Sequence, residues 1–206
     1  ARSCALLVGG GAHRRGSGWR CWVIHPFAGA QAFGRGGQRD STLVAVEVQH
    51  GPAVGIIELP ALGQRVFAGR GLGCTVVDFH GERPARVSDT SAIGDALLCT
   101  SGFGSWSPEQ VQAAHASGAL LRTWGDGYGY ALVATGEADA MVDPVVAEGD
   151  GAPMAGNLAE AGGRFPAPHR PRGAERGHGP APNSPHHDPA HAQPPPPGGS
   201  HPMARG

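Results

Sequence analysis

Residues 122–144 read R-T-W-G-D-G-Y-G-Y-A-L-V-A-T-G-E-A-D-A-M-V-D-P, and they carry the most informative local pattern in the chain. The run 128–135 predicts a helix that ends at Gly136, because glycine readily adopts the left-handed backbone found at helix ends. Asp126 precedes this helix and is a candidate N-cap for it. Residues 140–142 then predict a short strand before Asp143-Pro144. The stretch therefore indicates a helix followed closely by a strand.

Strand patterns dominate the residues before this stretch. Short apolar runs bounded by glycine and proline predict strands, and the turn His50-Gly51-Pro52 predicts a hairpin between two of them. Ser107-Pro108 indicates a helix start, with the serine as N-cap and the proline at the first helical position. Strands and then helices in mixed order indicate an α/β fold, an α+β layered sandwich. The predicted strands are 21–24, 42–48, 54–59, 66–68, 74–79 and 96–100, and the other predicted helices are 111–121 and 150–161.

Composition divides the 206 residues into two parts. Residues 166–206 hold 12 of the 19 prolines and 6 of the 11 histidines, and they lack Val, Ile, Leu, Phe, Trp, Tyr and Cys. Such a segment cannot bury enough apolar surface to offset the entropy lost on ordering. We therefore expect a folded domain over 1–165 and a disordered Pro/His/Gly-rich tail over 166–206. An alternative for the tail is weak metal binding by its histidines, as in a polyhistidine tract.

Charge and hydropathy exclude several classes of partner. The net charge of −1 and pI of about 6.9 give no field that attracts nucleic acid or an anionic membrane. All 16 basic residues are arginine, which excludes Schiff-base and P-loop lysine chemistry. No apolar run approaches the ~20 residues that span a bilayer. The absence of a signal-peptide pattern over 1–11, together with four scattered cysteines, predicts a cytoplasmic protein with reduced thiols.

Four stretches, in order and at suitable spacing, resemble the inositol monophosphatase family. W-V-I-H-P-F-A-G-A-Q-A-F (22–33) resembles its first metal motif, D-P-[IL]-D-G-T followed by a loop and Phe, and V-G-I-I-E-L-P-A-L-G (54–63) resembles the next strand and turn. The stretch 122–144 is the most specific and is similar to the histidinol-phosphatase branch. G-D-G-A-P…E-A-G-G-R-F (149–165) resembles the end motif W-D-x-A-A…E-A-G-G. The resemblance covers roughly 5–165 and implies alternating helix and sheet layers, incomplete at both ends.

The resemblance implies a magnesium-dependent phosphatase that hydrolyses a small phosphate monoester, in histidine biosynthesis for this branch. Members hold Mg²⁺ with a Glu-Glu pair, the two aspartates of the loop and the aspartate of the W-D motif, because this hard cation prefers carboxylate oxygens. A threonine hydroxyl orients the attacking water, and backbone N–H groups of the G-T turn hold the phosphate.

Most of these groups are replaced in this chain. The Glu-Glu pair would fall near 7–11, which holds no carboxylate. The two loop aspartates are replaced by His25 and Ala28, and the threonine is replaced by Ala30, so no catalytic residue is intact. The resemblance leaves, as metal ligands, Asp150, His25 and the main-chain carbonyl of Phe27, and, as phosphate-binding positions, Gly29 and Ala30.

Three polar positions each have two interpretations. His25 is a replacement ligand for Zn²⁺ or Mn²⁺ together with Asp150, or a decayed position whose imidazole makes only a hydrogen bond. By the resemblance, Asp126 and Asp143 are substrate-binding groups that accept hydrogen bonds from a hydroxyl or an ammonium. The alternatives are the helix N-cap for Asp126 and a turn-forming role for Asp143 before Pro144.

Two functions of different class follow. The first is a histidinol-phosphatase-like protein with impaired or absent activity, because losing several carboxylates around Mg²⁺ costs many kcal/mol of binding energy. The second is a catalytically dead remnant that at most binds a small phosphate or a protein. Homo-oligomer formation stays open, since an uncovered sheet face would favour association.

Overall fold

Two sheets and four helices run through the part of the chain that the structure, a computed structural model, describes. These described residues are 6–8, 12–14, 20–49, 51–144 and 151–165. The predicted tail over 166–206 lies outside them, so its disorder stays a prediction.

The larger sheet has eight strands in the order β2-β1-β3-β4-β5-β6-β7-β8. Neighbouring strands are antiparallel except β1 and β3, which are parallel. The predicted hairpin around Gly51-Pro52 is present as the pair β4 and β5. The strands are β1 Leu6–Val8, β2 Ala12–Arg14, β3 Cys21–Ala28, β4 Ser41–Val48, β5 Gly51–Leu59, β6 Gln64–Gly69, β7 Gly73–Asp78 and β8 Gly81–Ala85.

Alternation along these strands gives the sheet two different faces. In β4, Leu43 and Ala45 are buried, while Val44 and Val46 point the other way and are only partly covered. This follows from the period of two in a strand, which sends successive side chains to opposite faces. The buried face continues through Ile57 in β5 and packs on the helices.

The smaller sheet is parallel, with strand order β10-β9-β11. Its strands are β9 Leu97–Cys99, β10 Leu120–Arg122 and β11 Ala140–Met141. Helices α2 and α3 connect them, as parallel neighbours require a crossover. Helices α3 and α4 contact each other and the large sheet, and α3 also contacts β11. The layered α/β prediction is confirmed. The helices are α1 Ala30–Phe33, α2 Pro108–Ala116, α3 Asp126–Thr135 and α4 Gly151–Glu160.

Helix α2 is shorter than the sequence pattern predicts. The predicted start is confirmed, because Ser107 and Gln110 form a reciprocal capping box and Pro108 occupies the first turn. The helix ends at Ala116, although the pattern predicts helix to residue 121. Gly118 adopts a left-handed backbone with φ of +78° and breaks the helix. The N–H of Leu120 then donates to the carbonyl of Ala96, which places 120–122 in the small sheet.

The cysteines correct one expectation. Cys74 and Cys99 are buried free thiols, and burial raises the pKa of Cys74 to about 11. Cys21 is disulfide-bonded, so the prediction that all four thiols are reduced is wrong. In the described part of the chain, no helix is long and apolar enough to cross a membrane.

Candidate active site

A cavity of about 390 Å³ lies where the end of β3, the loop after β9, the first turn of α3 and the end of β11 meet. Its walls bring together five positions that the sequence singled out: His25, Ala28, Gly29, Asp126 and Asp143. These residues are far apart in the chain, so the fold places them in one site. Ser101, Ser105 and Tyr130 add further polar groups to the lining.

Asp143 is held by the first residues after β9. Its Oδ1 accepts hydrogen bonds from the hydroxyl of Thr100, at 3.0 Å, and from the backbone N–H of Ser101, at 2.8 Å. Its Oδ2 accepts one from the hydroxyl of Ser101, at 2.8 Å. The parallel pairing of β9 and β11 brings these groups together, because both strands end at the same edge. The carboxylate of Asp143 therefore has a fixed orientation at the cavity wall. A turn-forming role before Pro144 alone would not require these three hydrogen bonds.

Ser101 links the two acidic residues of the site. Its hydroxyl donates to Asp143 and accepts a hydrogen bond from the backbone N–H of Asp126, at 2.9 Å. Ser101 is not marked by any motif in the sequence, since T-S-G after an apolar strand matches no functional pattern. The available signal was the pair of predicted strands 96–100 and 140–142. It becomes informative only when the two strands are known to lie side by side in the sheet.

Asp126 is not the N-cap of α3. The N-cap is Gly125, and it makes no side-chain capping hydrogen bond. Asp126 is the first residue of the helix and has a φ of +54°, which is costly for a residue with a side chain. The glycines on either side of Asp126 let the start of α3 pack closely against Ser101 and Ser41. A Cβ on Gly125 would lie 2.1 Å from Cα of Ser101, and one on Gly127 would lie 2.2 Å from Oγ of Ser41. A strained acidic residue held between obligatory glycines favours a binding role over a capping role.

His25 and Phe27, both predicted metal ligands, bond to each other. Nε2–H of His25 donates to the carbonyl oxygen of Phe27 across 3.2 Å. The two residues flank Pro26 in a bulge of β3, where the register with β4 shifts between His25 and Ala28. The side chain of Phe27 turns away to stack edge-on against Phe33 of α1. This geometry favours the interpretation in which the imidazole makes a local hydrogen bond.

Of the two predicted phosphate positions, Gly29 lines the cavity and Ala30 is not part of its lining. Gly29 lines the cavity with a φ of +85° and is the N-cap of α1. A Cβ on Gly29 would lie 3.3 Å from Oδ2 of Asp126, so this carboxylate oxygen lies directly beside the loop. Ala30 begins α1 with an exposed methyl group, which offers no hydroxyl to orient water.

Two buried polar groups lie close behind this loop. Asp40 and Ser41 are 7% and 1% exposed, and neither Oδ1 of Asp40 nor Oγ of Ser41 has a hydrogen-bond partner among the described residues. Cα of Asp40 would lie 3.5 Å from a Cβ on Gly29. Unsatisfied buried oxygens are costly, and they are more frequent at functional sites than elsewhere. Neither residue lies in a motif that the sequence alone would identify.

The metal set implied by the resemblance does not assemble in the described residues. They contain no group of three or more His, Cys, Asp or Glu side chains arranged to hold a metal ion. Asp150, the remaining predicted ligand, lies outside the described residues, and α4 begins directly after it. An octahedral Mg²⁺ shell built mainly from carboxylates therefore does not fit the side chains that the structure describes.

Comparison with known proteins agrees with the fold and with the resemblance. The inositol monophosphatase family model matches residues 8–193. Histidinol-phosphatases from Chlorobaculum parvum and Mycobacterium tuberculosis are 34% and 32% identical to this chain over 158 and 152 residues, which are 73% and 71% of it. In each case the match spans 58% of the relative's length.

Solved structures show the same architecture. Mycobacterium tuberculosis SuhB matches with a TM-score of 0.63 and 27% identity, over 76% of this chain and 63% of that one. A calcium-bound inositol monophosphatase family protein from Staphylococcus aureus shares the fold, with a TM-score of 0.67 at 16% identity, over 78% of this chain and 62% of that one. With a family model that matches most of its length, this chain belongs to the inositol monophosphatase family.

Proposed function

We propose that the chain is a histidinol-phosphatase-like protein that binds a small phosphate monoester in the 390 Å³ cavity and hydrolyses it slowly or not at all. The observation that carries the proposal is the placement of two acidic side chains, Asp126 and the hydrogen-bonded Asp143, in one cavity, together with a metal set that is incomplete among the described residues. The naming of the curated relatives as histidinol-phosphatases supports the substrate class.

The acidic wall of the cavity would hold the organic end of the ligand. No arginine or lysine belongs to the described lining, while Asp126 and Asp143 do. A carboxylate accepts hydrogen bonds from hydroxyl and ammonium groups, and charge-assisted bonds are the stronger ones. An amino alcohol phosphate would therefore place its ammonium and hydroxyl groups against this wall, with its phosphate toward the loop at Gly29.

Weak hydrolysis follows from the residues on the opposite side of the cavity, where the groups that would bind a metal and orient water are replaced. In the resembling family, Mg²⁺ supplies the charge that neutralises the transferring phosphoryl oxygens. Here His25 is bonded to the carbonyl of Phe27, and Ala30 stands where a threonine would orient water. Without such groups, binding energy at the organic end does not become a rate enhancement.

Binding can be tested by calorimetric titration with L-histidinol phosphate, inositol 1-phosphate and inorganic phosphate. We expect the amino alcohol ester to bind most tightly, and Asp143→Asn to weaken its binding about tenfold, since a bond to a charged group is worth about 1.5–3 kcal/mol. Asp95→Asn is the matched control, because Asp95 is an exposed acid in a short 3₁₀ turn. Equal affinity for all three ligands would contradict the proposed class.

Hydrolysis can be tested by phosphate release with millimolar Mg²⁺ or Mn²⁺. We expect a rate indistinguishable from the uncatalysed background for the wild-type chain. Turnover that disappears in an Asp150→Ala variant would contradict impaired hydrolysis, and it would establish a metal site built around Asp150.

A further inference from the structure

One wall of the cavity is the loop that follows β9, residues 100–106, which we call the β9 loop. Ser101, Gly102, Gly104 and Ser105 of this loop line the cavity. Strand β9 is the middle strand of the small parallel sheet, because the chain leaves it for β10 on one side and later enters β11 on the other. Ligands of such sheets bind outside the carboxyl ends of the strands, where the connections diverge in this way. The β9 loop therefore lies where topology alone leads us to expect a ligand.

Trp106 closes the β9 loop at its base. The indole Nε1–H donates a hydrogen bond to Oγ1 of Thr100, at 3.1 Å, across six positions of the chain. The indole also contacts the ring of Phe103 edge-on, with 5.5 Å between the ring centroids. Trp106 does not belong to the described lining of the cavity, so its effect on a ligand passes through the residues that it holds.

The hydroxyl of Thr100 has one proton and two lone pairs, and its neighbours fix the direction of the proton. Oγ1 accepts from the indole of Trp106 and from the backbone N–H of Gly102, at 3.3 Å, which uses both lone pairs. Two acceptors lie within reach of the proton: Oδ1 of Asp143 at 3.0 Å and the carbonyl oxygen of Gly102 at 3.4 Å. The carboxylate oxygen is nearer and its bonds are charge-assisted, so it receives the proton.

The carboxylate of Asp143 then has about one acceptor site left for a ligand, since a carboxylate offers about four lone-pair sites. Its Oδ1 accepts from the hydroxyl of Thr100 and from the N–H of Ser101, and its Oδ2 accepts from the hydroxyl of Ser101. The remaining site is on Oδ2, and Asp143 lines the cavity. Donors at three fixed positions therefore leave one direction from which a donor of the ligand can bind.

We propose that Trp106 is a positioning residue for the ligand: it fixes the proton of Thr100, which in turn fixes the carboxylate of Asp143 that receives an ammonium or hydroxyl group. This role rests on the proposed function, and it adds the residue that sets the preference of the cavity for phosphate esters of amino alcohols. Hydrogen bonds in a chain polarise one another, so the bond from the indole also strengthens the bond to the carboxylate. Without the indole N–H, the hydroxyl of Thr100 is free to turn away from Asp143.

Titration calorimetry of the full chain with two phosphate esters tests this role. L-histidinol phosphate carries donor groups on its organic part, and n-propyl phosphate carries none. Trp106→Phe keeps a ring against Phe103 and removes the N–H donor. We expect this variant to bind L-histidinol phosphate about fivefold more weakly, as for the loss of one ordinary hydrogen bond, with no change for n-propyl phosphate. A merely structural role in the loop would weaken the binding of both esters, and that result would overturn the proposal.

A double-mutant cycle shows whether Trp106 acts through Thr100. Thr100→Val has nearly the same shape without the hydroxyl, and it should weaken the binding of L-histidinol phosphate about tenfold, since it removes a bond to a charged acceptor. Adding Trp106→Phe to Thr100→Val should cause no further loss, because residues that act through one another are not additive. Thr100→Ser restores the hydroxyl and should recover most of the affinity. Losses that multiply in the double variant would overturn the proposal.

Trp22→Phe is the matched control. Trp22 is a half-exposed tryptophan on β3 outside the described lining of the cavity, so the affinities for both esters should stay unchanged. Circular dichroism melting checks that each variant is folded. If Trp106→Phe does not fold, Thr100→Val and Thr100→Ser decide, because equal affinities of these two variants for L-histidinol phosphate would overturn the proposal.

The wild-type chain separates this role from the proposed function. Equal affinity of the wild-type chain for the two esters would contradict both. A wild-type preference for L-histidinol phosphate that Trp106→Phe retains in full would overturn the role of Trp106 and leave the proposed function standing.

Discussion

Gly127 is the residue on which the fit of α3 against β4 depends most directly. A Cβ at this position would lie 2.2 Å from Oγ of Ser41 and 2.8 Å from Cδ2 of Leu43, two atoms of buried residues. Neither can move away easily in a packed interior. We expect Gly127→Ala to lower the free energy of unfolding by about 3 kcal/mol, the upper part of the range for overpacking. Urea unfolding measures this change.

The matched control for that substitution is Gly94→Ala. A Cβ on Gly94 would have only the carbonyl oxygen of Ser117 near it, at 3.8 Å, and the residue lies in an exposed turn. Its unfolding free energy should stay within about 0.5 kcal/mol of wild type. Equal stability of the two variants would show that helix α3 does not pack against β4 as described.

The predictability of single site residues depends on whether their signal is local. Asp126 and Asp143 could be found because both lie inside the motif-bearing stretch 122–144. Ser101 and Asp40 could not, since each gains its place only from contacts with distant parts of the chain. The interpretation of Asp126 as an N-cap failed for a related reason. Residue type favours capping, but the contact with Ser101 moves the cap to Gly125.

At the scale of elements, Asp139 joins β11 to the strand beside it. Its Oδ1 accepts from the hydroxyl of Ser88 at 2.5 Å, and its Oδ2 accepts from the N–H of Leu97 at 2.6 Å. The bond from Ser88, then that from Leu97, hold the pKa of this carboxyl below its ordinary value. The stabilisation is therefore complete above the ordinary pKa of an aspartate, and it is lost as the pH falls through the lowered value.

The lowered pKa of Asp139 leads to a prediction for the stability of the protein in acid. Asp139→Asn should lower the free energy of unfolding by about 1–2 kcal/mol at pH 7, where bonds to a charged acceptor are replaced by weaker ones. The difference from wild type should shrink at about pH 3, where the unfolded-state aspartate is largely protonated. Urea unfolding at both values measures it, with the exposed Asp89→Asn as control. A difference that is constant with pH would contradict the ionic role of Asp139.

Elements with a strong period were predictable, and short parallel strands were not. The alternating residues of β4 and β5 placed the hairpin correctly, because each strand is long enough to show its pattern. Strand β10 has only three residues, and its apolar pair Leu120-Leu121 continued the helical pattern of α2. Its strand conformation comes from pairing with β9, which is a tertiary contact. Strand β8 contains Pro84 and is an edge strand, where proline is tolerated and the pattern is weak.

At the scale of the whole molecule, the two walls of the cavity differ in how many of the polar groups implied by the family resemblance they contain. The wall formed by β9, α3 and β11 contains Asp126 and Asp143, and the carboxylate of Asp143 is held by hydrogen bonds from Thr100 and Ser101. The wall formed by β3 and the loop after it has His25 and Ala28 where the resembling motif has aspartates. The fold survives this change because Ala28 is buried in the sheet and needs no charge there. The layers could therefore be predicted from the resemblance, while activity could not.

The last prediction concerns restoring the altered wall with His25→Asp, Ala28→Asp and Ala30→Thr together. Positions 25 and 28 both line the cavity with Asp126 and Asp143, so the two new carboxylates would repel these acids. We expect a lower melting temperature without metal, recovered by millimolar Mg²⁺. Phosphate release should nevertheless stay at background, because residues 7–11 still lack the carboxylate pair and losing one such group alone costs about 10²–10³ in rate. Effects within one site are not additive, so the total loss is smaller than the product of the single losses. Turnover by the triple variant would show that the β3 wall alone limits hydrolysis, and its disappearance on adding Asp150→Ala would place the metal there.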